Sequence, residues 1–144
     1  MTYLDTSALI KRFVAEAGSD AIRRLFTARE PIATAKIAYA EVHAALARRH
    51  REGDLSRDGY AGACARFERD WHSYVRIELH DEVLVTARRL IARHPLRGYD
   101  AVHLASALSL RDALGEDPTF LASDERLLKA ARAERLPTLN PETA

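Results

Sequence analysis

The sequence holds a single cysteine, Cys64, in 144 residues. A lone cysteine excludes a disulfide within the chain and any zinc or iron–sulfur site built from several cysteines; flanked by Ala63 and Ala65, it reads as a small buried apolar residue. No apolar run approaches the roughly 20 residues of a membrane-spanning helix. No basic segment precedes the first apolar run and no signal-peptide cleavage pattern follows it, so a cytoplasmic location is expected. Neither sign of charge dominates: 22 basic against 21 acidic residues leave +1, and no global field points to nucleic acid. Lysine is scarce. Only Lys11, Lys36 and Lys129 are lysine, and the other 19 basic residues are arginine. Two readings account for this: the codon preference of a GC-rich genome, or a preference for the better bidentate phosphate ligand.

What remains is ordinary for a folded protein, with 47% hydrophobic and 30% charged residues. A chain of this length buries roughly 68–70% of the surface its unfolded form exposes, and one domain over residues 1–144 is expected. Repeats, low-complexity tracts and linkers are lacking. Short apolar runs alternate with helical patterns along the chain. Strands are expected at Thr2 to Leu4, Pro31 to Thr34, Val75 to Leu79, Thr119 to Ala122 and Thr138 to Leu139. Helices are expected over Ser7 to Val14, over a segment capped by Ser19 or Asp20, and over Lys36 to Arg51, Leu55 to Tyr74, His80 to His94, Asp100 to Leu114 and Asp124 to Glu134. Tyr60, Cys64, Phe67 and Trp71 form an aromatic and apolar stripe at helical spacing, which suits a core, a dimer surface or a partner's surface better than a base-stacking platform. The alternation predicts an α/β fold, a parallel sheet covered by helices on both faces, whose ligand site lies beyond the carboxyl ends of the strands.

Four acids fall where that geometry makes them converge. Asp5 follows the first strand, Asp124 follows the fourth, Asp100 opens a helix, and Glu41 lies inside an alanine-rich one. Each aspartate can be read as a helix cap, whose side-chain oxygen accepts an orphaned backbone N–H. Glu41 is different. Ile37, Ala38, Ala44 and Ala45 surround it on its helix, no lysine or arginine stands beside it on that face, and a buried carboxylate needs a cation. A divalent ion shared with the aspartates supplies one. Carboxylates without cysteine suit Mg²⁺ or Mn²⁺, hard ions that take oxygen ligands and bind phosphate oxygens, so the chemistry expected is phosphoryl transfer.

The segments Leu4-Asp5-Thr6-Ser7-Ala8-Leu9-Ile10, Ala40-Glu41-Val42, Gly98-Tyr99-Asp100-Ala101-Val102-His103-Leu104-Ala105 and Phe120-Leu121-Ala122-Ser123-Asp124-Glu125-Arg126-Leu127 resemble, in this order, the four acidic motifs of PIN-domain ribonucleases. The resemblance runs from about Tyr3 to Leu139, and within the family it points to the VapC-type toxins of type II toxin–antitoxin pairs. It implies a PIN-like three-layer sandwich around a five-stranded parallel sheet. It implies Mg²⁺- or Mn²⁺-dependent endonucleolytic hydrolysis of RNA, leaving a 5′-phosphate and a 3′-hydroxyl. Carried over by position, Asp5, Glu41, Asp100 and Asp124 match the catalytic metal site, with Asp124 favoured over the adjacent Glu125. Ser7 matches the small polar residue beside it and Thr6 is its neighbour, both read as substrate contacts, and Arg97 is the first choice for a phosphate contact on the substrate, ahead of Lys11 and Arg12. His103, one turn after Asp100, is either a general acid or a hydrogen-bonding residue of the helix layer. The resemblance also implies an RNA substrate, a small cognate antitoxin protein and a homodimer. The rival readings are a housekeeping RNA-processing nuclease and a PIN fold kept as a non-catalytic RNA- or protein-binding module; loss of one of the four acids would mark the latter. A Mg²⁺-binding receiver-type switch needs a lysine after a late strand, and none stands between Lys36 and Lys129.

Overall fold

A computed structural model describes residues 1–144. Five strands, β1 (Thr2–Leu4), β2 (Ile32–Ala35), β3 (Val75–Ile77), β4 (Thr119–Leu121) and β5 (Thr138–Leu139), form one sheet in the order β3-β2-β1-β4-β5, every pair parallel. Seven helices connect them: α1 (Thr6–Leu9), continued by a 3-10 turn over Ile10–Arg12, then α2 (Ser19–Thr27), α3 (Ile37–Arg51), α4 (Arg57–Trp71), α5 (Asp81–Arg93), α6 (Gly98–Leu114) and α7 (Glu125–Ala133). The expected α/β sandwich is the one observed. None of the helices is long and apolar enough to cross a membrane.

Alternation along the strands sorts the core into two halves. Tyr3, Ala33, Ala35 and Phe120 pack with the inner faces of α5, α6 and α7. Leu4, Ile32 and Leu121 point the other way, against α1 to α4. The strands are short because both faces are covered; β1, β2 and β4 are buried almost throughout. Thr34, fully buried, donates its hydroxyl to the Leu4 carbonyl at 2.7 Å, which ties β2 to the end of β1.

The stripe on α4 is core. Phe67 is fully buried and meets Phe13 edge-on at 5.3 Å, and Trp71 packs in the same cluster. Tyr60 instead stacks on His50 at 4.9 Å. Phe67→Ala is expected to destabilise the protein by about 3–5 kcal/mol, a large share of a typical domain's total. A urea midpoint within error of the wild type would remove Phe67 from the core.

Two helix starts differ from expectation. The cap of α2 is Gly18, at φ +90°, and Ser19 turns its hydroxyl back to the Val14 carbonyl at 3.0 Å. A Cβ on Gly18 would lie 3.0 Å from the Pro141 carbonyl carbon, so the tight approach of the C-terminal segment demands glycine there. Helix α6 begins at Gly98, two residues before Asp100, with Arg97 as its extended cap residue. Asp100 therefore sits inside the first turn and is not a cap.

Candidate active site

Chain order reverses at β1. The chain runs from β1 outward through β2 and β3, then returns to lay β4 on the free side of β1. The crevice at such a switch point is where an open parallel sheet binds ligands. Leu4 is in register with Leu121, and the Asp5 N–H donates to the Leu121 carbonyl at 3.1 Å, so the ends of β1 and β4 open onto the same place. A cleft of about 470 Å³ lies there, and Asp5, Glu41, Asp100 and Asp124 all line it.

Asp5 caps α1. Its Oδ1 accepts from the Ala8 N–H at 3.0 Å and from the Ser7 hydroxyl at 2.7 Å. Both bonds fall on one oxygen, which leaves Oδ2 for the cleft. The residue is 4% exposed. Burial pushes its carboxyl up; the His103 charge and the two hydrogen bonds pull it down, Asp100 adds repulsion, and the net shift is upward. The Ser7 Oγ also accepts from the Ser123 N–H at 3.0 Å, clasping the loop after β1 to the loop after β4.

Glu41, in the second turn of α3, reaches the opposite wall. Its Oε1 accepts from the Thr6 hydroxyl at 2.8 Å and stands 2.7 Å from His103 Nε2. Burial pushes this carboxyl up, but the bond to and charge of His103, with the Thr6 donor, outweigh it and hold the group below the usual range. The partner of Glu41 is thus an imidazole from another helix. Asp100, nearly buried, accepts from Arg97 Nε at 2.9 Å through Oδ2. Asp124 caps α7, its Oδ1 accepting from the Arg126 N–H at 2.9 Å, and its Oδ2 lies 3.5 Å from Arg97 Nη2. Glu125 turns away to Asn140 and Arg132 and does not line the cleft.

Thr6 and Ser7, read from the sequence as substrate contacts, have their hydroxyls engaged with Glu41 and Asp5. Arg97 bridges Asp100 and Asp124 and lies 4.7 Å over the Tyr99 ring; the Asp100 carboxylate holds its guanidinium above the ordinary value. Lys11 lines the cleft, but its ammonium is 2.9 Å from Glu16. Arg12 points out of the cleft to Asp70 at 3.0 Å and over the Phe26 ring. Two cleft residues carried no sequence signal. Glu16 is a fifth acid, neutralised by Lys11 and Arg49. Arg48 is exposed at the rim with no ion-pair partner.

The donors suit a hard divalent ion. All four are carboxylates, Asp5 and Asp100 are nearly buried, and the charge balancing the outer pair is an arginine that is 60% exposed. They are not drawn into a closed cage: no three acidic or imidazole side chains crowd around one point.

A parallel five-stranded sheet with four acids around its switch point defines a class. The sequence matches the PIN domain over residues 2–133, and the chain belongs to that family. Among characterised relatives it is 38% identical over 112 residues to ribonuclease VapC45 of Mycobacterium tuberculosis, spanning 78% of each chain. It is 33% identical over 139 residues to ribonuclease VapC46 of the same organism, spanning 96% of each. The fold superposes on a chain of a toxin–antitoxin complex from Klebsiella pneumoniae with a TM-score of 0.68, at 17% identity over 98% of both chains.

Proposed function

We propose that this protein is a VapC-type endoribonuclease that hydrolyses RNA phosphodiester bonds with Mg²⁺ or Mn²⁺ and is restrained by a small antitoxin. One observation carries the reading: Asp5, Glu41, Asp100 and Asp124, from four segments of the chain, line one cleft at the β1–β4 switch point. The relatives named ribonuclease VapC and the toxin–antitoxin complex of the same fold support it. Asp5 and Asp100 would hold the ion, with Glu41 and Asp124 completing its surroundings. A bound divalent ion offsets charge on the phosphate and acidifies water near neutral pH.

The chain's own groups do the rest. Ser7 fixes the rotamer of Asp5 so that Oδ2 faces the cleft. Thr6 and His103 hold Glu41. Arg97 and Arg48 are the guanidinium groups for the phosphate backbone, since each is exposed and can form paired N–H···O bonds. The chemistry makes no use of the ribose 2′-hydroxyl as nucleophile, so preference for RNA lies in binding, and unpaired loops are the form in which bases are most open to reading. A homodimer and a cytoplasmic site of action belong to the same proposal.

Purified protein is expected to cut RNA with Mg²⁺ or Mn²⁺ and to lose activity in excess EDTA. Robust cleavage under EDTA overturns the metal-dependent reading. Expression of the chain alone is expected to arrest growth, and co-expression of the small gene beside it to relieve the arrest. Harmless expression, unchanged by Asp5→Ala, leaves a nuclease that is not a toxin and favours the RNA-processing alternative.

A further inference from the structure

The proposed reaction uses His103 to hold Glu41 but gives no task to Tyr3, the buried residue behind it. His103 is 1% exposed and Tyr3 is fully buried, yet the ring of His103 is engaged at both nitrogens. Its Nδ1 lies 2.8 Å from the Tyr3 hydroxyl, and its Nε2 lies 2.7 Å from Glu41 Oε1 and 3.2 Å from the Thr6 hydroxyl. The line Tyr3–His103–Glu41 thus joins β1, α6 and α3 across residues 62 and 100 positions apart.

The Tyr3 ring has no freedom to leave, because it stacks on Phe120 at 5.4 Å and 6°. Its hydroxyl, 2.8 Å from Nδ1, anchors the far side of the His103 ring, so that Nε2 faces Glu41.

We propose that Tyr3 and His103 are positioning residues for Glu41: the Tyr3 hydroxyl anchors His103 at Nδ1, and His103 Nε2, with the Thr6 hydroxyl, engages Glu41 Oε1 so that Oε2 is the oxygen left for an ion in the cleft. Glutamate has three rotatable side-chain bonds, and the neighbours of Glu41 on α3 are alanines and an isoleucine that offer it no polar hold. The brace supplies that hold from outside the helix. Partners one bond removed from a metal ligand commonly set affinity by 10–100-fold. The inference rests on Glu41 being a ligand in the proposed nuclease site.

The test uses the full ¹⁵N-labelled chain, without RNA, in wild-type, Tyr3→Phe, His103→Gln and His103→Leu forms. Long-range ¹H–¹⁵N correlation reads which ring nitrogens of His103 bear hydrogen, and Mn²⁺ titration reads affinity. The wild type is expected to show a hydrogen on His103 Nε2, and Tyr3→Phe, which frees the ring, to bind Mn²⁺ about tenfold more weakly. His103→Gln, whose amide can still donate to Glu41, is expected to stay within a few-fold of wild type. His103→Leu is expected to lose about 10–100-fold. Wild-type His103 without a hydrogen on Nε2 overturns the proposal. So does a Tyr3→Phe protein with unchanged affinity, or a folded His103→Gln protein as weak as His103→Leu. A wild type that binds Mn²⁺ with the expected pattern but leaves RNA intact sinks the nuclease reading and supports the brace; one that binds no Mn²⁺ sinks both.

Discussion

Asp100→Asn is expected to abolish RNA cleavage while leaving a folded protein. A carboxylate that only capped α6 would tolerate the change, since asparagine caps about as well. Asp100 is not the cap residue: it stands in the first turn, behind Arg97, with its side chain facing the acids. The amide keeps the shape and loses the charge. The ion pair with Arg97 goes with it, but that arginine is 60% exposed, and such pairs contribute little. Repulsion on Asp5 falls at the same time. The metal-free variant should therefore melt at or above the wild-type temperature. A ligand stabilises a fold only as far as it binds the folded state, so saturating Mg²⁺ should raise the melting point of the wild type and hardly move the variant. Cleavage should drop by at least about a hundredfold, the upper end of what loss of a mere supporting partner costs. Near wild-type cleavage by a folded Asp100→Asn protein takes the proposed site down.

Asp5→Asn should likewise stabilise the metal-free protein and silence it, and the stabilisation should depend on pH. Asparagine keeps the Oδ1 acceptor for the Ala8 N–H and the Ser7 hydroxyl, so the cap on α1 survives. What disappears is a buried charge. The folded pKa of Asp5 lies above its unfolded value, chiefly through burial. The folded state therefore holds this proton more tightly, and ionising the group costs stability as pH rises from the unfolded value through the folded one. The cost is absent below both values and complete once pH exceeds the folded one. Urea midpoints in EDTA should favour the variant at pH 7, by an amount equivalent to roughly 3 °C or more in Tm, and the gap should close as pH falls into the ordinary aspartate range. Addition of Mg²⁺ should reverse the order, because only the wild type gains a counter-charge. A gap that is constant with pH would mean that Asp5 carries no burial strain.

The architecture was largely legible in the sequence, and the reason is periodicity. β1, β2, β4 and β5 are short, largely apolar runs beside an acid or a proline, β3 alternates as Val75-Arg76-Ile77, and all five appear within about two residues of their expected places. The four acids were legible because each belongs to a short local pattern. What stayed hidden depends on contacts between distant segments. Along α3 no cation stands beside Glu41; its partner is His103, whose own helix gives no hint that its ring crosses to Glu41. Nothing local to Arg97 says that its guanidinium folds back onto Asp100 and across to Asp124. Glu16 lines the cleft because the turn after α1 brings it beside Lys11 and Arg49. Gly18 carries the start of α2 because Pro141, more than a hundred residues later, leaves no room for a side chain.

The order of the strands also sets a time at which the cleft can first exist. β4 is made fourth but lies against β1, and until Thr119–Leu121 arrive β1 has a neighbour on one side only. Asp124 and the Ser123 N–H that clasps Ser7 come later still. A chain still being translated through α6 carries Asp5, Glu41 and Asp100 without the element that closes them into one site. The proposed nuclease is thus disarmed on the ribosome until β4 and the loop after it have emerged, surrounded by RNA it could otherwise cut.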